Sequence, residues 1–277
     1  MHLIFKNYLK KIFFLILDLL NPNLSCKLNN LRQKIMKRKI FFHYDKNLNL
    51  YFVVEKDKKI YFPDKLRGIN TYSYGIFDRA LQLIKTYNLE LINFENNDTI
   101  IDCGANYGDL YNWFVYKNFD INYISFEPSP REFQCLKLNC LKQKNNNIAL
   151  SNKEGQVDFY LKTDSGDSSI ILPSSGFTQR IKVKTNTLSK YVIDNKIQKI
   201  KFLKVEAEGF EPEVLQGAKD VMSKIEYIGV DGSPERGINN ETTIEYAIKF
   251  LTNHNFKVIA SDINKVYAKA LFKNKMI

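Results

Sequence analysis

Two short apolar runs in the middle of the chain lead into acidic residues and glycines. The run at 99–103 contains Asp102 and is followed by Gly104 and Gly108, and the run at 122–127 ends at Glu127. The spacing D-x-G-x-x-x-G differs from the G-x-G-x-x-G that sets backbone amides against a pyrophosphate, which disfavours a dinucleotide. Glu127 follows Gly104 by 23 residues, where a carboxylate can accept both hydrogen bonds of a ribose diol.

A ribose without phosphates is the chemistry of S-adenosylmethionine. Glu127 would bind the ribose diol, and a carboxylate or backbone carbonyl near Asp102 would bind the ligand's ammonium group. The alternative is structural. In that interpretation Gly104 and Gly108 only permit a tight turn from strand to helix, and Glu127 caps the following helix.

A later apolar strand, in "FLKVEAEGF" at 202–210, also ends in carboxylates. Glu206 and Glu208 lie on one face of an extended chain, and Lys204 is a cation in an otherwise apolar run that needs a partner. One interpretation makes Glu206 or Glu208 the base that accepts a hydroxyl proton, since no histidine lies in these motifs. The other makes Lys204 and Glu206 a buried ion pair.

The segment "VDGSPERG" at 230–237 ends the next apolar run and continues into a turn. Asp231 is its second residue, and the turn also contains Glu235 and Arg236. Ligands of open parallel sheets bind beyond the carboxyl ends of the strands, so Asp231 is a candidate for the same site. A plain surface turn is the alternative.

These motifs require strands that alternate with helices, which predicts an α/β fold with a doubly wound, mostly parallel sheet. Strands are predicted at 99–103, 122–127, 147–150, 200–206 and 226–230, and helices near 108–117, 130–142, 211–222 and 241–254. Segments 256–260 and 266–272 predict an antiparallel strand pair at the sheet edge. Residues 156–190 predict a short strand pair beside the pocket, with a polar loop between its strands.

The front of the chain holds the excess positive charge. Residues 1–70 contain 15 Lys and Arg against 5 Asp and Glu, and the remaining residues contain 26 against 25. The run "IFFLILDLL" at 12–20 is interrupted by Asp18 and is shorter than the roughly 20 apolar residues of a membrane span. No small-residue cleavage site follows it, which disfavours a signal peptide.

Two interpretations of this N-terminal run stay open. It is an amphipathic helix within residues 1–30 that contacts anionic lipid headgroups, or a helix that packs on the domain and leaves its lysines solvated. Alternating residues at 39–65 predict a β-hairpin. We therefore expect a basic N-terminal extension at 1–70 and a second domain at 71–277.

Cysteine and histidine usage limits the remaining possibilities. The four cysteines form neither a zinc pattern nor a dense disulfide framework, so a reducing, cytoplasmic location is expected. The three histidines lie far apart, which argues against a metal cluster. No metal is expected.

Five stretches together resemble the FkbM-type family of S-adenosylmethionine-dependent methyltransferases. They are "IIDCGANYGDL", "SFEPSPREFQCLKLN", "EGQVDFYL", "LKVEAEGFEPEVLQGA" and "YIGVDGSPERG". The resemblance covers roughly residues 70–275. It implies a class I methyltransferase (Rossmann-like) fold, S-adenosyl-L-methionine as cofactor, and O-methylation, often of sugars. It assigns the cofactor to the first two motifs, through Asp102, Gly104, Ala105, Asn106, Gly108, Glu127 and Pro128.

The chain departs from the family pattern at two places. The family commonly has Leu-Asp where this chain has Leu188-Ser189, and Asp-x-Glu-Gly where it has residues 206–209. The second change keeps the charge on a longer side chain. The first removes a carboxylate and puts a catalytic role at position 189 in doubt.

The expected function is methyl transfer to a hydroxyl of a carbohydrate, glycolipid or surface polysaccharide. The candidate catalytic residues are Glu206, Glu208, Lys204 and Asp231. One alternative is a nucleic-acid methyltransferase whose basic segment contacts phosphates, which the absence of a base-flipping motif such as NPPY disfavours. Another is a methyltransferase-like scaffold that has lost its activity, which Ser189 and Glu206 would suit.

Overall fold

A computed structural model describes residues 2–162 and 168–277 of the chain. The chain forms two compact units, Met1–Arg79 and Ala80–Ile277. Residues 163–167, in the polar loop predicted within 156–190, lie outside the described residues.

The N-terminal unit consists of three helices and a small antiparallel sheet. Its elements are α1 (His2–Leu19), α2 (Pro22–Ile35), β1 (Ile40–Asp45), β2 (Leu50–Glu55), β3 (Lys58–Phe62) and α3 (Lys65–Thr71). The side chain of Asn21 accepts the amide of Leu24 and caps α2, which begins with Pro22. The predicted hairpin is a three-stranded sheet, because Ile60 and Phe62 continue the period-two burial beyond the second turn.

Helix α4 (Ile76–Thr86) crosses the boundary, and strands and helices then alternate. The elements that follow are β4 (Thr99–Cys103), α5 (Asp109–Tyr116), β5 (Asn122–Phe126), α6 (Pro130–Asn139), β6 (Lys144–Asn146), β7 (Ala149–Leu150), β8 (Gly155–Leu161), β9 (Gln179–Asn186), α7 (Leu188–Asp194), β10 (Ile200–Val205), α8 (Glu211–Gly217), β11 (Ile225–Asp231), α9 (Ile244–Asn253), β12 (Phe256–Ile263) and β13 (Ala268–Asn274). Short 3₁₀ helices lie at Leu89–Leu91 and Lys219–Lys224.

Seven of these strands form one sheet, in the order β12-β13-β11-β10-β4-β5-β6. Strands β4, β5, β6, β10 and β11 are parallel, and β12 and β13 form an antiparallel edge. The predicted α/β fold, a Rossmann-like class I methyltransferase sheet, is therefore confirmed. The strand order reverses between β4 and β10, so their carboxyl ends border the crevice where such sheets bind ligands.

The prediction of one strand at 147–150 is wrong in its assignment. Lys144–Asn146 joins the large sheet, whereas Ala149–Leu150 pairs with β9 in a separate three-stranded sheet, β7-β9-β8. The polar strand β6 has no apolar signal, since the side chains of Asn145 and Asn146 bond to Ser125 and to nearby carbonyls instead of packing in the core. The strand pair predicted within 156–190 is confirmed as β8 and β9.

Both faces of the large sheet are buried. Side chains alternate along β10, so that Phe202 packs on one face with Ile100 and Trp113, and Leu203 packs on the other with Ile228. Helices therefore cover both faces, which holds the strand ends rigidly. Within the described residues, no helix combines the length and apolar character needed to cross a bilayer.

Candidate active site

The loop after β4 approaches the end of β10 so closely that only glycine fits at position 104. Gly104 has a φ of +74°, and a Cβ atom there would lie 2.0 Å from the backbone oxygen of Glu206. The amides of Gly104 and Ala105 donate hydrogen bonds to the Phe126 carbonyl at 3.0 and 3.1 Å. Positive φ and close approach together fix this loop between β5 and β10.

Asn106 and Gly108 continue the loop toward α5. Both have positive φ, +51° for Asn106 and +86° for Gly108. A Cβ atom on Gly108 would lie 2.3 Å from Sγ of Cys140. The side-chain oxygen of Asn106 is shielded from solvent and has no hydrogen-bond partner among the residues that the structure describes. A shielded oxygen without a partner is costly, which makes it an acceptor for a bound group.

Glu127 follows β5 and faces the same loop. Its two carboxylate oxygens accept amide hydrogen bonds from Asn106 at 2.8 Å and from Ser129 at 2.9 Å. Burial raises the pKa of Glu127 to about 7, and the charge of Glu132 adds to this rise. Each oxygen can accept a second hydrogen bond, which leaves capacity for two hydroxyls of a diol.

Pro128 completes the turn from β5 to α6. The side-chain amide of Asn147 donates to the carbonyls of Glu127 and Pro128 at 2.8 and 3.1 Å. The carboxylate of Glu127 accepts hydrogen bonds from the glycine loop and from Ser129, the residue before α6. A residue that only caps α6 would not need the hydrogen bond to the glycine loop.

A buried lysine joins the glycine loop to two neighbouring strands. Nζ of Lys204 lies 2.9 Å from Oδ1 of Asp102, 2.8 Å from Oε2 of Glu206 and 2.8 Å from the carbonyl oxygen of Gly104. Burial lowers the pKa of a lysine, but the charges of Asp102 and Glu206 outweigh it and raise the pKa of Lys204. The three ammonium hydrogens all have acceptors, so the geometry gives Lys204 a positioning role.

The second oxygen of Asp102 is also occupied. The hydroxyl of Tyr123 donates to Oδ2 of Asp102 at 2.5 Å. Asp102 is almost fully buried, and its carboxylate connects β4 to both β5 and β10. Both oxygens of Asp102 therefore already bind protein groups, one an ammonium and the other a hydroxyl.

Glu206 is held as an anion. Burial favours a raised pKa, but the charge and hydrogen bond of Lys204 outweigh burial and lower the pKa of Glu206 to about 2. The hydroxyl of Tyr87 also donates to Oε2 of Glu206 at 2.9 Å. A carboxylate with so low a pKa accepts a proton poorly, so this geometry does not favour Glu206 as a base.

Glu208 and Gly209 form a left-handed turn after β10. Their φ angles are +50° and +90°, so both residues adopt the left-handed conformation. The carbonyl of Glu208 accepts a hydrogen bond from Oγ of Ser169 at 2.7 Å, so the segment between β8 and β9 reaches this turn. The side chain of Glu211 accepts hydrogen bonds from the backbone amides of Ala207 and Gly209, which fixes the conformation of the turn.

Asp231 lies at the end of β11 and is buried. Oδ1 accepts the Ser233 hydroxyl at 2.5 Å, and Nζ of Lys269 on β13 lies 2.5 Å from Oδ2. Asp231 and Lys269 are register partners in the sheet, which explains their pairing. The structure therefore places Asp231 beside the site, but with its charge already balanced.

Glu235, in the turn after β11, is the carboxylate in this cluster with the fewest contacts. It is half-buried, and no hydrogen bond or ion pair joins it to another residue in the described part of the chain. Burial raises the pKa of Glu235 to about 8, with the charges of Asp231 and Glu211 adding to it. The neighbouring Arg236 fixes the turn, because it binds both carboxylate oxygens of Glu213 at 2.8 and 3.0 Å.

A comparison with protein families identifies the domain that carries this site. Residues 102–258, more than half of the chain, match the model of the methyltransferase FkbM domain. The chain belongs to the FkbM methyltransferase family. It is accordingly an S-adenosylmethionine-dependent methyltransferase.

The chain is also similar to a named methyltransferase. The chain is 21% identical over 193 residues to the 2-O-methyltransferase NoeI of Sinorhizobium fredii. The aligned region covers 63% of this chain and 79% of NoeI. Among solved structures, a protein of the NADB-Rossmann superfamily from Streptococcus agalactiae gives a TM-score of 0.42 at 14% identity, covering 72% of this chain and 69% of that one. TrmK of M. capricolum, solved with S-adenosylhomocysteine, gives 0.41 at 13% identity, covering 71% and 67%.

The residues of this FkbM domain fit the cofactor. Glu127 has two acceptor positions left, and the Asn106 oxygen lacks a partner among the described residues. The ligand has ribose hydroxyls and an amine that can donate to such acceptors. No group of three or more His, Cys, Asp or Glu side chains within the described residues is arranged for a metal ion.

Sequence reasoning missed several members of the FkbM site. Tyr87, Tyr123 and Lys269 reach the carboxylates from α4's end, β5 and β13, and nothing in their local sequence indicates this. Glu235 was visible as an acid in a strand-end turn. Ser189 stands where the family commonly has Asp. Its hydroxyl accepts a hydrogen bond from the backbone amide of Asp220 at 3.3 Å.

Proposed function

We propose that this methyltransferase methylates a hydroxyl oxygen of a carbohydrate or glycolipid. The observation that supports this most is the set of carboxylates after β10 and β11, in which Glu235 alone forms no hydrogen bond or ion pair with the described residues. A hydroxyl needs a base to accept its proton, and a carboxylate with a raised pKa suits that task. The printed name of NoeI, a 2-O-methyltransferase, supports an oxygen as acceptor.

The glycine loop and Glu127 would hold the methyl donor. Glu127 would accept the two ribose hydroxyls, and the Asn106 oxygen with the loop carbonyls would accept the ammonium hydrogens. Bound S-adenosylmethionine supplies an electrophilic methyl group and leaves as S-adenosylhomocysteine. The contribution of the protein is to fix donor and acceptor in line, which converts an encounter of two molecules into a reaction within one complex.

Lys204 and Glu206 would keep the donor loop in place without transferring protons. Lys204 bonds to the Gly104 carbonyl, and Glu206 is tied to both Lys204 and Tyr87. Loss of either charge would loosen the loop that binds the donor. We therefore assign them positioning roles, in place of the base role that the sequence suggested for Glu206.

Glu235 is our proposed general base. Its pKa of about 8 lies near the operating pH of a cytoplasmic enzyme, where proton transfer to a carboxylate is most effective. The acceptor hydroxyl would lose its proton to Glu235 as its oxygen takes the methyl group. The left-handed Glu208-Gly209 turn packs on the backbone of Arg236, the residue after Glu235, and so sets the position of this base.

A sugar acceptor is consistent with an aromatic pair formed by one residue of β8 and one of the segment that precedes β9, in the region predicted to border the pocket. The rings of Tyr160 and Phe177 lie 5.0 Å apart, and Phe177 is exposed. Aromatic rings provide a rigid apolar surface with little entropy cost, which suits the apolar face of a pyranose. We propose that this pair contributes to acceptor specificity.

We place the reaction in the cytoplasm, at the inner membrane surface if the acceptor is a glycolipid. All four cysteines are free thiols and buried. They accord with a reducing compartment.

Labelled S-adenosylmethionine tests the proposal. The full-length protein is incubated with the tritiated methyl donor and with separate envelope glycan, lipid, RNA and protein fractions. We expect label in the glycan or glycolipid fraction, recovered as an O-methyl sugar after hydrolysis. Label confined to RNA or protein would refute the acceptor class, and no binding of S-adenosylhomocysteine in calorimetry would refute the donor site.

A further inference from the structure

The two N-terminal helices each expose an apolar face to solvent. In α1 this face comprises Leu9, Ile12, Leu15, Ile16 and Leu19, and in α2 it comprises Leu24, Leu31 and Ile35. The spacing within each set places its members on one side of a helix. Leu15, Leu19 and Ile35 are 65%, 88% and 74% exposed, which is unusual for so many large aliphatic residues in two consecutive helices.

The opposite side of α2 is buried and mostly polar, with Cys26 as its apolar member. Ser25, Asn29 and Gln33 have no exposed surface and follow each other at four-residue spacing. The side-chain amides of Asn29 and Gln33 have no hydrogen-bond partner among the described residues. A surface helix of a domain that contacts only water would bury its leucines and expose its side-chain amides.

Basic residues accompany these exposed faces. Residues 2–39 contain nine Lys and Arg and one acid, Asp18. Lys11, Lys27 and Lys34 are exposed, and no ion pair is formed by any of the three within the described residues. At the surface of an anionic bilayer, charged headgroups lie above an apolar interior. Exposed leucines flanked by lysines without ion pairs are complementary to such a surface.

We infer that α1 and α2 bind the surface of an anionic lipid bilayer through these apolar faces and lysines. A second copy of the chain fits less well as the partner. Its apolar faces would bring the same lysines against each other with almost no acids to balance them. Within the apolar run at 12–20, Leu17 is buried in the N-terminal unit, whereas Ile12, Leu15, Ile16 and Leu19 stay exposed.

Vesicle flotation of the full-length protein tests this binding independently of methyl transfer. The probes are vesicles of 30% phosphatidylglycerol in phosphatidylcholine and vesicles of phosphatidylcholine alone. We expect flotation with the anionic vesicles that weakens as salt rises from 0.1 to 0.5 M, because salt screens lysine–headgroup attraction. Flotation with neither vesicle would overturn the inference.

Two variants separate the apolar and the charged contributions. Leu15→Gln with Leu19→Gln should lower the apparent lipid affinity about a hundredfold, as expected when two leucines lose burial. Lys27→Gln with Lys34→Gln should lower it about thirtyfold, since each lysine near an anionic surface contributes roughly fivefold. Unchanged affinity in both variants would contradict the assignment of these faces.

Matched controls lie in the other unit. Leu141 and Ile193 are exposed apolar residues, and Lys153 and Lys249 are exposed lysines, so glutamine at these positions should leave flotation unchanged. Circular dichroism checks the fold of each variant, and Leu19→Gln alone serves if the double variant is unfolded. Sedimentation showing a dimer that the leucine variant dissociates would instead identify a second copy as the partner and overturn the inference.

Discussion

Replacing Lys204 with methionine should strongly destabilise the catalytic unit. Lys204 is buried and lies within 2.9 Å of two carboxylate oxygens, on Asp102 and Glu206. At an effective dielectric constant near 20, each attraction is about 6 kcal/mol before the cost of desolvation. Removing one partner of such a buried pair costs about 3–5 kcal/mol, because the remaining charges stay buried without a counter-ion.

Urea denaturation followed by tryptophan fluorescence measures this loss. Trp113 is the only tryptophan in the sequence and is buried in the core of the catalytic unit, so its emission follows that unit. With a denaturant slope of about 2–3 kcal/mol/M, the midpoint should fall by about 1–2.5 M. A loss of this size is a large part of the roughly 5–15 kcal/mol that stabilises a domain.

A surface lysine provides the matched control. Lys190 pairs with Asp194 at 3.4 Å but is largely exposed, so Lys190→Met should cost less than about 1 kcal/mol. If Lys204→Met shifts the midpoint no more than this control, the reasoning about the buried cluster is refuted.

The pH dependence adds a second check on the same variant. In the parent protein Lys204 lowers the pKa of Glu206 from 4.5 to about 2, after outweighing the opposite effect of burial. The stability that this provides is fully present above about pH 4.5 and is lost as the pH falls toward 2. The difference between parent and variant should therefore narrow below pH 4.5, and a constant difference would contradict the ion pair as its source.

Three further changes test the donor loop and the base. Burial raises the pKa of Glu127 to about 7, so the Kd for S-adenosylhomocysteine should rise about tenfold per pH unit below 7, and calorimetry of Glu127→Gln should show no such slope. Glu235→Gln should slow methyl transfer by about 10²–10⁴-fold and remove the rise in rate toward pH 8, while donor binding stays unchanged. If the variant keeps the pH–rate profile of the parent protein, Glu235 is not the base. Gly104→Ala should abolish donor binding, whereas Gly176→Ala, with a similar φ of +77° but open space around its Cβ, should not; equal effects in calorimetry would show that strain alone is responsible.

The strand-end positions of the proposed donor site could be predicted because their signals are local. Gly104 and Gly108 adopt the positive φ that glycine spacing after an apolar run suggests, and Glu127 follows the next strand. A parallel sheet brings its carboxyl ends to one edge, so each run of sequence predicts its own contribution to that edge. The partners Tyr87 and Lys269 have no local signal, because they reach the site only through tertiary packing and antiparallel register.

Helix α2 was missed for a different reason. Its leucines at 24 and 31 and Ile35 are exposed, and three of its four buried residues are polar, namely Ser25, Asn29 and Gln33 beside Cys26, which reverses the pattern from which amphipathic helices are predicted in water. The Asn21-Pro22 start was present in the sequence and is the signal that could have found it. Sequence patterns identify a helix face reliably only when the medium on each side is known.

Glu206 and Glu235 show why residue type and position do not determine chemical role. Both are glutamates in the segments after neighbouring strands, and the sequence offered Glu206 or Glu208 as the base. Lys204 outweighs burial and lowers the pKa of Glu206 to about 2, whereas burial with the charges of Asp231 and Glu211 raises that of Glu235 to about 8. The lysine that makes Glu206 a poor base also holds the Gly104 carbonyl, so we propose that one ammonium group fixes the donor loop and that the base role falls to Glu235.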